Sequence, residues 1–93
     1  CQGTYVGGYS NGASAVISIQ RQWGEQINVQ IQLNGREFYT AQGTCQQWGN
    51  QAQFVFTLHG HGIVHRGNIN EDWNGQATMQ GAQDGGFAFQ ARR

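Results

Sequence analysis

Apolar and polar residues alternate along most of the chain. In 27–33, Ile27, Val29, Ile31 and Leu33 share one parity, and Asn28, Gln30 and Gln32 share the other. In 52–58, Ala52, Phe54, Phe56 and Leu58 alternate with Gln53, Val55 and Thr57. Ala15, Ile17 and Ile19 form a third such face, Ala77 and Met79 begin a fourth, and Phe87, Phe89 and Ala91 close the chain. A period of two sends successive side chains to opposite faces of a strand. No segment carries the longer period of an amphipathic helix.

Turn signals separate these segments. They are Asn11-Gly12, Gly24-Glu25, Asn34-Gly35, Gly49-Asn50, His59-Gly60, Asn74-Gly75 and Asp84-Gly85. Asn-Gly and Asp-Gly are strong hairpin signals because a type I′ turn needs positive φ at both central residues. Seven turns divide the chain into eight strands, and eight antiparallel strands in sequence make a meander.

A repeat supports the division. Trp23, Trp48 and Trp73 lie 25 residues apart, each followed at the third position by a glutamine: Gln26, Gln51 and Gln76. The predicted unit is a hairpin of about 25 residues, with a weaker first copy ending at Asn11-Gly12. A lone hairpin cannot bury its apolar face, so the copies must associate. Four hairpins without a covering helix predict an all-β, eight-stranded antiparallel meander barrel over residues 1–93 as one domain. Closure also removes exposed strand edges. A two-sheet sandwich is the alternative.

The two ends of such a barrel differ. Tight Asn-Gly-type turns lie at one end and the Trp-containing connections at the other. Gly43 and Gly67 read as bulges or loop starts, which predicts two longer loops at the Trp end, 43–50 and 67–75. Gly3, Gly7, Gly8 and Gly81 thin the wall lining, while Phe54, Phe56, Phe87 and Phe89 are expected to fill the interior.

Composition narrows the function classes. Charged residues make up 11% of the chain and cancel to a net charge of zero, which excludes a phosphate-neutralising nucleic-acid platform. There is no lysine and no proline; glycine and glutamine contribute 15 residues each. Glycines punctuate all seven turns, and many glutamines occupy the polar parity where most domains place Lys and Glu. The missing proline suits strand interiors, where it would remove a ladder donor.

The two cysteines, Cys1 and Cys45, both fall at the Trp end, Cys1 ahead of the first strand and Cys45 near the end of the fourth. A bridge there would tie the N-terminus across the mouth. In the chain-entropy model a loop of this length is worth roughly 4 kcal/mol. The pairing implies an oxidising compartment, and so a secreted or periplasmic protein. The alternatives are a lipid anchor on Cys1, as in bacterial lipoproteins, and two free thiols. No run of residues is long and apolar enough for a transmembrane helix.

Candidate chemistry is sparse. His61 and His65 share strand parity and would give a zinc site two ligands, but His59 holds a turn position and no further ligand is in register. Asn70, Asp72 and Asn74 before Gly75 resemble the start of an EF-hand loop, yet Gly81 stands where the closing carboxylate belongs. Glu71 and Asp72 are adjacent and would face opposite ways on a strand, which is poor for paired acid–base work. No nucleophile elbow or phosphate loop is present. No cofactor is expected and no enzymatic constellation stands out.

The tryptophans are the strongest lead. A tryptophan ring can stack on the apolar face of a sugar while neighbouring amides bond its hydroxyls. Gln26, Asn50, Gln51, Asn74 and Gln76, with Gln22 and Gln47, supply amides beside Trp23, Trp48 and Trp73. Rings that simply plug the open end of the barrel are the structural reading of the same residues.

The segment Thr4-Tyr5-Val6-Gly7-Gly8, followed by a strand reaching Trp23, is similar to a strand pair of avidin-type biotin-binding barrels. The similarity covers about a fifth of the chain and implies a meander barrel; the pattern of biotin ligands is not evident. The function expected is therefore binding rather than catalysis. First comes a protein-binding module of the inhibitor, immunity or accessory-lipoprotein type. A lectin-like glycan binder using the Trp end is second. A metal-dependent enzyme using His61 and His65 is third.

Overall fold

The computed structural model describes all of residues 1–93, and each alternating segment forms a strand. In chain order these are β1 (Gly3–Tyr9), β2 (Ser14–Trp23), β3 (Gln26–Leu33), β4 (Glu37–Trp48), β5 (Gln51–Leu58), β6 (Val64–Glu71), β7 (Ala77–Gln83) and β8 (Ala88–Arg92). Every strand pairs antiparallel with the next, and β1 pairs with β8 from Val6↔Arg92 to Tyr9↔Phe89. The sheet is thus a closed barrel rather than a sandwich, and each of the seven turn signals falls in a connection. This is the eight-stranded meander that the alternation and the avidin-type similarity implied. There is no helix, and so no helix that could cross a membrane.

The inward parity carries the core. Tyr5, Ile17, Ile19, Ile27, Ile31, Phe56 and Met79 are almost completely shielded, with Phe54, Ile69 and Phe89 close behind. Phe54 stacks on Phe56 at 5.6 Å between ring centroids and meets Phe89 at 6.1 Å. Phe87 does not join them. It lies in the β7–β8 turn, 48% exposed, because the turn occupies 84–87 and the inward parity of β8 begins only at Phe89.

The longer loops expected at the Trp end are not there. β4 continues unbroken through Gly43 to Trp48, and only Gly49 and Asn50 connect it to β5. β6 likewise runs through Gly67, leaving a short turn at 72–76. Gly43 is paired within an unbroken strand. It faces inward opposite Phe56, and a Cβ there would lie 1.9 Å from the Val55 carbonyl oxygen. A side chain at this position would hold β4 and β5 apart. Such close approach at an inward glycine lets a small barrel bend sharply.

Trp23 and Trp48 end β2 and β4, whereas Trp73 stands within the β6–β7 turn. Strands run from 5 to 12 residues, so the 25-residue sequence unit is not reproduced as an exact structural copy.

Candidate functional site

Three turns and the N-terminal segment build the Trp end. Trp23-Gly24-Glu25-Gln26 and Trp48-Gly49-Asn50-Gln51 are two-residue hairpin loops with the tryptophan paired to the glutamine across each. Gly24 and Gly49 take φ of 59° and 61°, the positive value that a type II′ turn requires at its first central residue. The third turn is organised by Asp72. One carboxylate oxygen, Oδ1, accepts the backbone N–H groups of Asn74 at 2.9 Å and Gln76 at 3.0 Å. The resemblance to a calcium loop thus ends in a side chain already committed to its own turn.

The rings point into solvent. Trp23 is 72% exposed, Trp48 51% and Trp73 91%. The plugging role is therefore overturned, and strand parity explains why. Cys45 and Gln47 face inward on β4, which sends Trp48 outward; on β2 a register shift between Arg21 and Trp23 turns the second ring away. None of the three stacks on another aromatic ring. Gln26, Asn50, Gln51, Asn74 and Gln76 are exposed beside them. The site residues read from the sequence thus share one end of the barrel without forming a single aromatic cage.

Other residues close the mouth. Cys1 and Cys45 are paired in a disulfide, with Cα atoms 6.6 Å apart. A sulfur held in that bridge has no valence left for a lipid thioether, so bridge and lipid anchor on Cys1 are alternatives. The Tyr5 hydroxyl donates to the Cys1 carbonyl at 2.9 Å, and the Cys1 nitrogen donates to Gln47 Oε1 at 3.0 Å. Arg93 reaches over the Tyr5 ring, donating to the Gln2 carbonyl at 3.0 Å and pairing with Glu71 at 2.7 Å. The disulfide is compatible with an oxidising location such as the extracellular space.

Between the first two Trp turns lies a cleft of about 560 Å³, floored by Ile27 and the disulfide and walled by Arg21, Glu25 and Gln47. Arg21 Nε donates to the Gly24 carbonyl at 2.8 Å, which fixes the guanidinium while leaving its outer nitrogens without a carboxylate partner. The sequence reading passed over Arg21. Its signal was parity: after Ala15, Ile17 and Ile19, a charge at the next inward position marks the barrel mouth. Glu71 after Ile69 carries the same signal.

The histidines are not brought together. His61 is an exposed turn residue against Tyr39, their ring centroids 5.4 Å apart, whereas His65 is wholly buried. The connection between β5 and β6 spans 59–63, longer than the two residues read from His59-Gly60. No three His, Cys, Asp or Glu side chains gather as a metal site would require.

His65 lies in an aromatic pocket at the opposite end from the tryptophans. Phe56 stacks on it at 4.9 Å and Phe89 leans on it at 5.3 Å. The Tyr9 hydroxyl is 2.9 Å from Nε2, and burial pushes the Tyr9 phenol up to about 12, so it stays a donor. Gln83 Nε2 stands 3.4 Å from the same imidazole nitrogen, oriented by Gln83 Oε1 accepting the Phe87 N–H at 3.2 Å. Two donors on Nε2 place the neutral imidazole proton on Nδ1, which has no hydrogen-bond partner. Burial holds the imidazole below its ordinary 6.5.

This gives a prediction with a definite sign. As pH falls through 6.5, the unfolded chain takes up a proton at His65 that the folded barrel refuses. The unfolded state then binds more protons, so stability present above that pH is lost on acidification. Urea midpoints at pH 7 and pH 5 should show the decline, and His65→Phe should flatten it. An equal decline in the variant would assign the effect to other groups.

Comparison with known proteins bears on the fold. No protein-family model and no curated protein matches the chain. Among solved structures, it is similar to a redesigned β-barrel, mFAP1, bound to DFHBI, with TM-score 0.72 and 15% identity over 98% of this chain and 91% of that one. A second redesigned β-barrel gives TM-score 0.69 at 15% identity, covering 98% and 87%. A de novo designed fluorescence-activating β-barrel gives 0.66 at 12% identity, covering 99% and 90%. At such identities the likeness establishes the closed meander barrel and nothing about ligands.

Proposed function

We propose that this domain binds a protein partner through the Trp-bearing end of the barrel, as an inhibitor-, immunity- or accessory-type module working outside the cell or in a periplasm. The observation that carries this reading is the exposure of Trp23, Trp48 and Trp73 on three short turns at one end. Large aromatics held in water by rigid turns lose little conformational entropy on binding, and tryptophan is enriched among the residues that dominate protein interfaces. The cleft beside the disulfide offers an apolar floor for a partner side chain, with Arg21 free to meet a carboxylate. The reading is of a binder, with no catalytic residue or cofactor.

A glycan is the second reading. Each ring has an amide beside it: Gln26 opposite Trp23, Gln51 opposite Trp48 and Asn74 following Trp73. That is the pairing of apolar face and hydrogen-bonding edge that a sugar needs.

Affinity capture separates the two. The oxidised domain, immobilised, should retain a protein from extracellular or periplasmic extract of its source, and the combined Trp23→Ala, Trp48→Ala and Trp73→Ala variant should not. A single hot-spot tryptophan typically contributes about 2 kcal/mol, so Trp48→Ala alone should weaken that complex roughly 30-fold. Equal retention by the triple variant would refute a Trp-end interface. Binding to an immobilised glycan array, lost in the triple variant, would select the glycan.

A further inference from the structure

A second cleft lies on the side wall of the barrel, across β2, β3 and β4, and is built from different residues. Its volume is about 560 Å³, and its polar side chains are Ser18, Gln20, Asn28, Gln30, Thr40 and His59. Two rungs of the sheet form its floor. Ser18, Gln30 and Thr40 stand in register on three successive strands, and Gln20 pairs with Asn28 one rung along. Their neighbours Ile17, Ile19, Val29 and Ala41 face the core, so all of these polar side chains face outward.

One edge is raised by His59. Its backbone N–H donates to the Thr40 carbonyl at 2.9 Å, and its Nδ1 lies 2.9 Å from Thr40 Oγ1. The imidazole is thereby held beside Thr40 at one edge of the cleft. The sequence accounted for His59 only as a turn residue.

The lining is selective in its chemistry. No Arg, Asp or Glu contributes to it, so a charged ligand would meet no counter-charge. Amides and hydroxyls dominate, so an apolar ligand would strip them of water without replacing their hydrogen bonds. Gln20, Asn28 and Gln30 make no side-chain hydrogen bond within the protein, and each amide offers both donors and an acceptor. A ligand hydroxyl also donates and accepts. The volume falls within the range of small-molecule sites.

The geometry points to a site for a neutral saccharide on this wall, separate from the Trp end and independent of what the Trp end binds. No aromatic platform underlies it, and glutamine side chains lose rotamer freedom on binding, so the site is a weak one.

The test is a nuclear magnetic resonance titration of the oxidised domain with maltose, cellobiose and N,N′-diacetylchitobiose, with gluconate as the charged control. The expected result is saturable shifts with at least one neutral disaccharide at the side-chain amides of Gln20, Asn28 and Gln30, and none with gluconate. Asn28→Ala with Gln30→Ala, both solvent-facing, should lower that affinity at least tenfold while leaving the rest of the spectrum in place. No saturable shift with any of the three sugars would overturn the proposal. So would equal binding by the double variant, an equal response to gluconate, or shifts confined to the three indole N–H signals, the last assigning the sugar to the Trp end.

Discussion

Replacing Gly43 with alanine is expected to destabilise the barrel by about 3 kcal/mol, a large share of a small domain's total stability. The added methyl would lie 1.9 Å from the Val55 carbonyl oxygen and 2.5 Å from the Phe56 Cα. Both are backbone atoms of a paired strand and cannot swing aside as the tip of a side chain could. Relief would require β4 and β5 to part where Gly43 opposes Phe56, a residue with no solvent exposure. Gln42→Ala next door, on the outer face, should stay within about 0.5 kcal/mol. Urea unfolding midpoints of the two variants give the comparison. A Gly43→Ala protein as stable as the parent would mean that the two strands do not approach so closely there.

Loss of the Cys1–Cys45 bridge is the second large effect. The cysteines are 44 residues apart, and releasing that loop costs about 4 kcal/mol in the chain-entropy model. For a domain of this size that corresponds to a fall in melting temperature of roughly 15–30 °C. The bridge also floors the cleft at the Trp end, while Cys1 receives the Tyr5 hydroxyl and donates to Gln47. Reduction should therefore loosen that mouth before it disturbs the His65 end. Hydrogen exchange on the reduced protein should show early loss of protection around 1–5 and 43–48, with β6 and β7 near His65 still protected. Uniform loss would place the bridge's contribution in the unfolded chain alone.

The fold was largely legible because its signals are local and repeated. Turn pairs such as Asn34-Gly35 specify their own backbone, and the strict alternation in 27–33 and 52–58 fixes which face is buried. Closure followed from the absence of any helix to cover the sheet. What escaped notice was non-local. Gly43 read as a bulge or loop start because only the close approach of the opposing Phe56 strand explains a glycine inside β4, and Thr44-Cys45-Gln46-Gln47 carries too little apolar contrast to announce a strand. The site was half legible. Spacing put the tryptophans at one end, but their outward orientation depends on parity carried through Gly43 and on the register shift at β2. The lid of Tyr5, Arg93 and Glu71 joins residues far apart in the chain, and His65 meets Tyr9 only after β1 and β8 close the barrel.

The central claim is that the tryptophans stand in water at the mouth of a packed barrel, available to a partner. Trp23, Trp48 and Trp73 are the only tryptophans, so intrinsic fluorescence reports on nothing else. The folded, oxidised protein should emit close to the wavelength of free tryptophan in water, with all of the emission open to acrylamide quenching and little change on unfolding in urea. Blue-shifted emission protected from acrylamide until the barrel unfolds would place the rings inside and contradict the account.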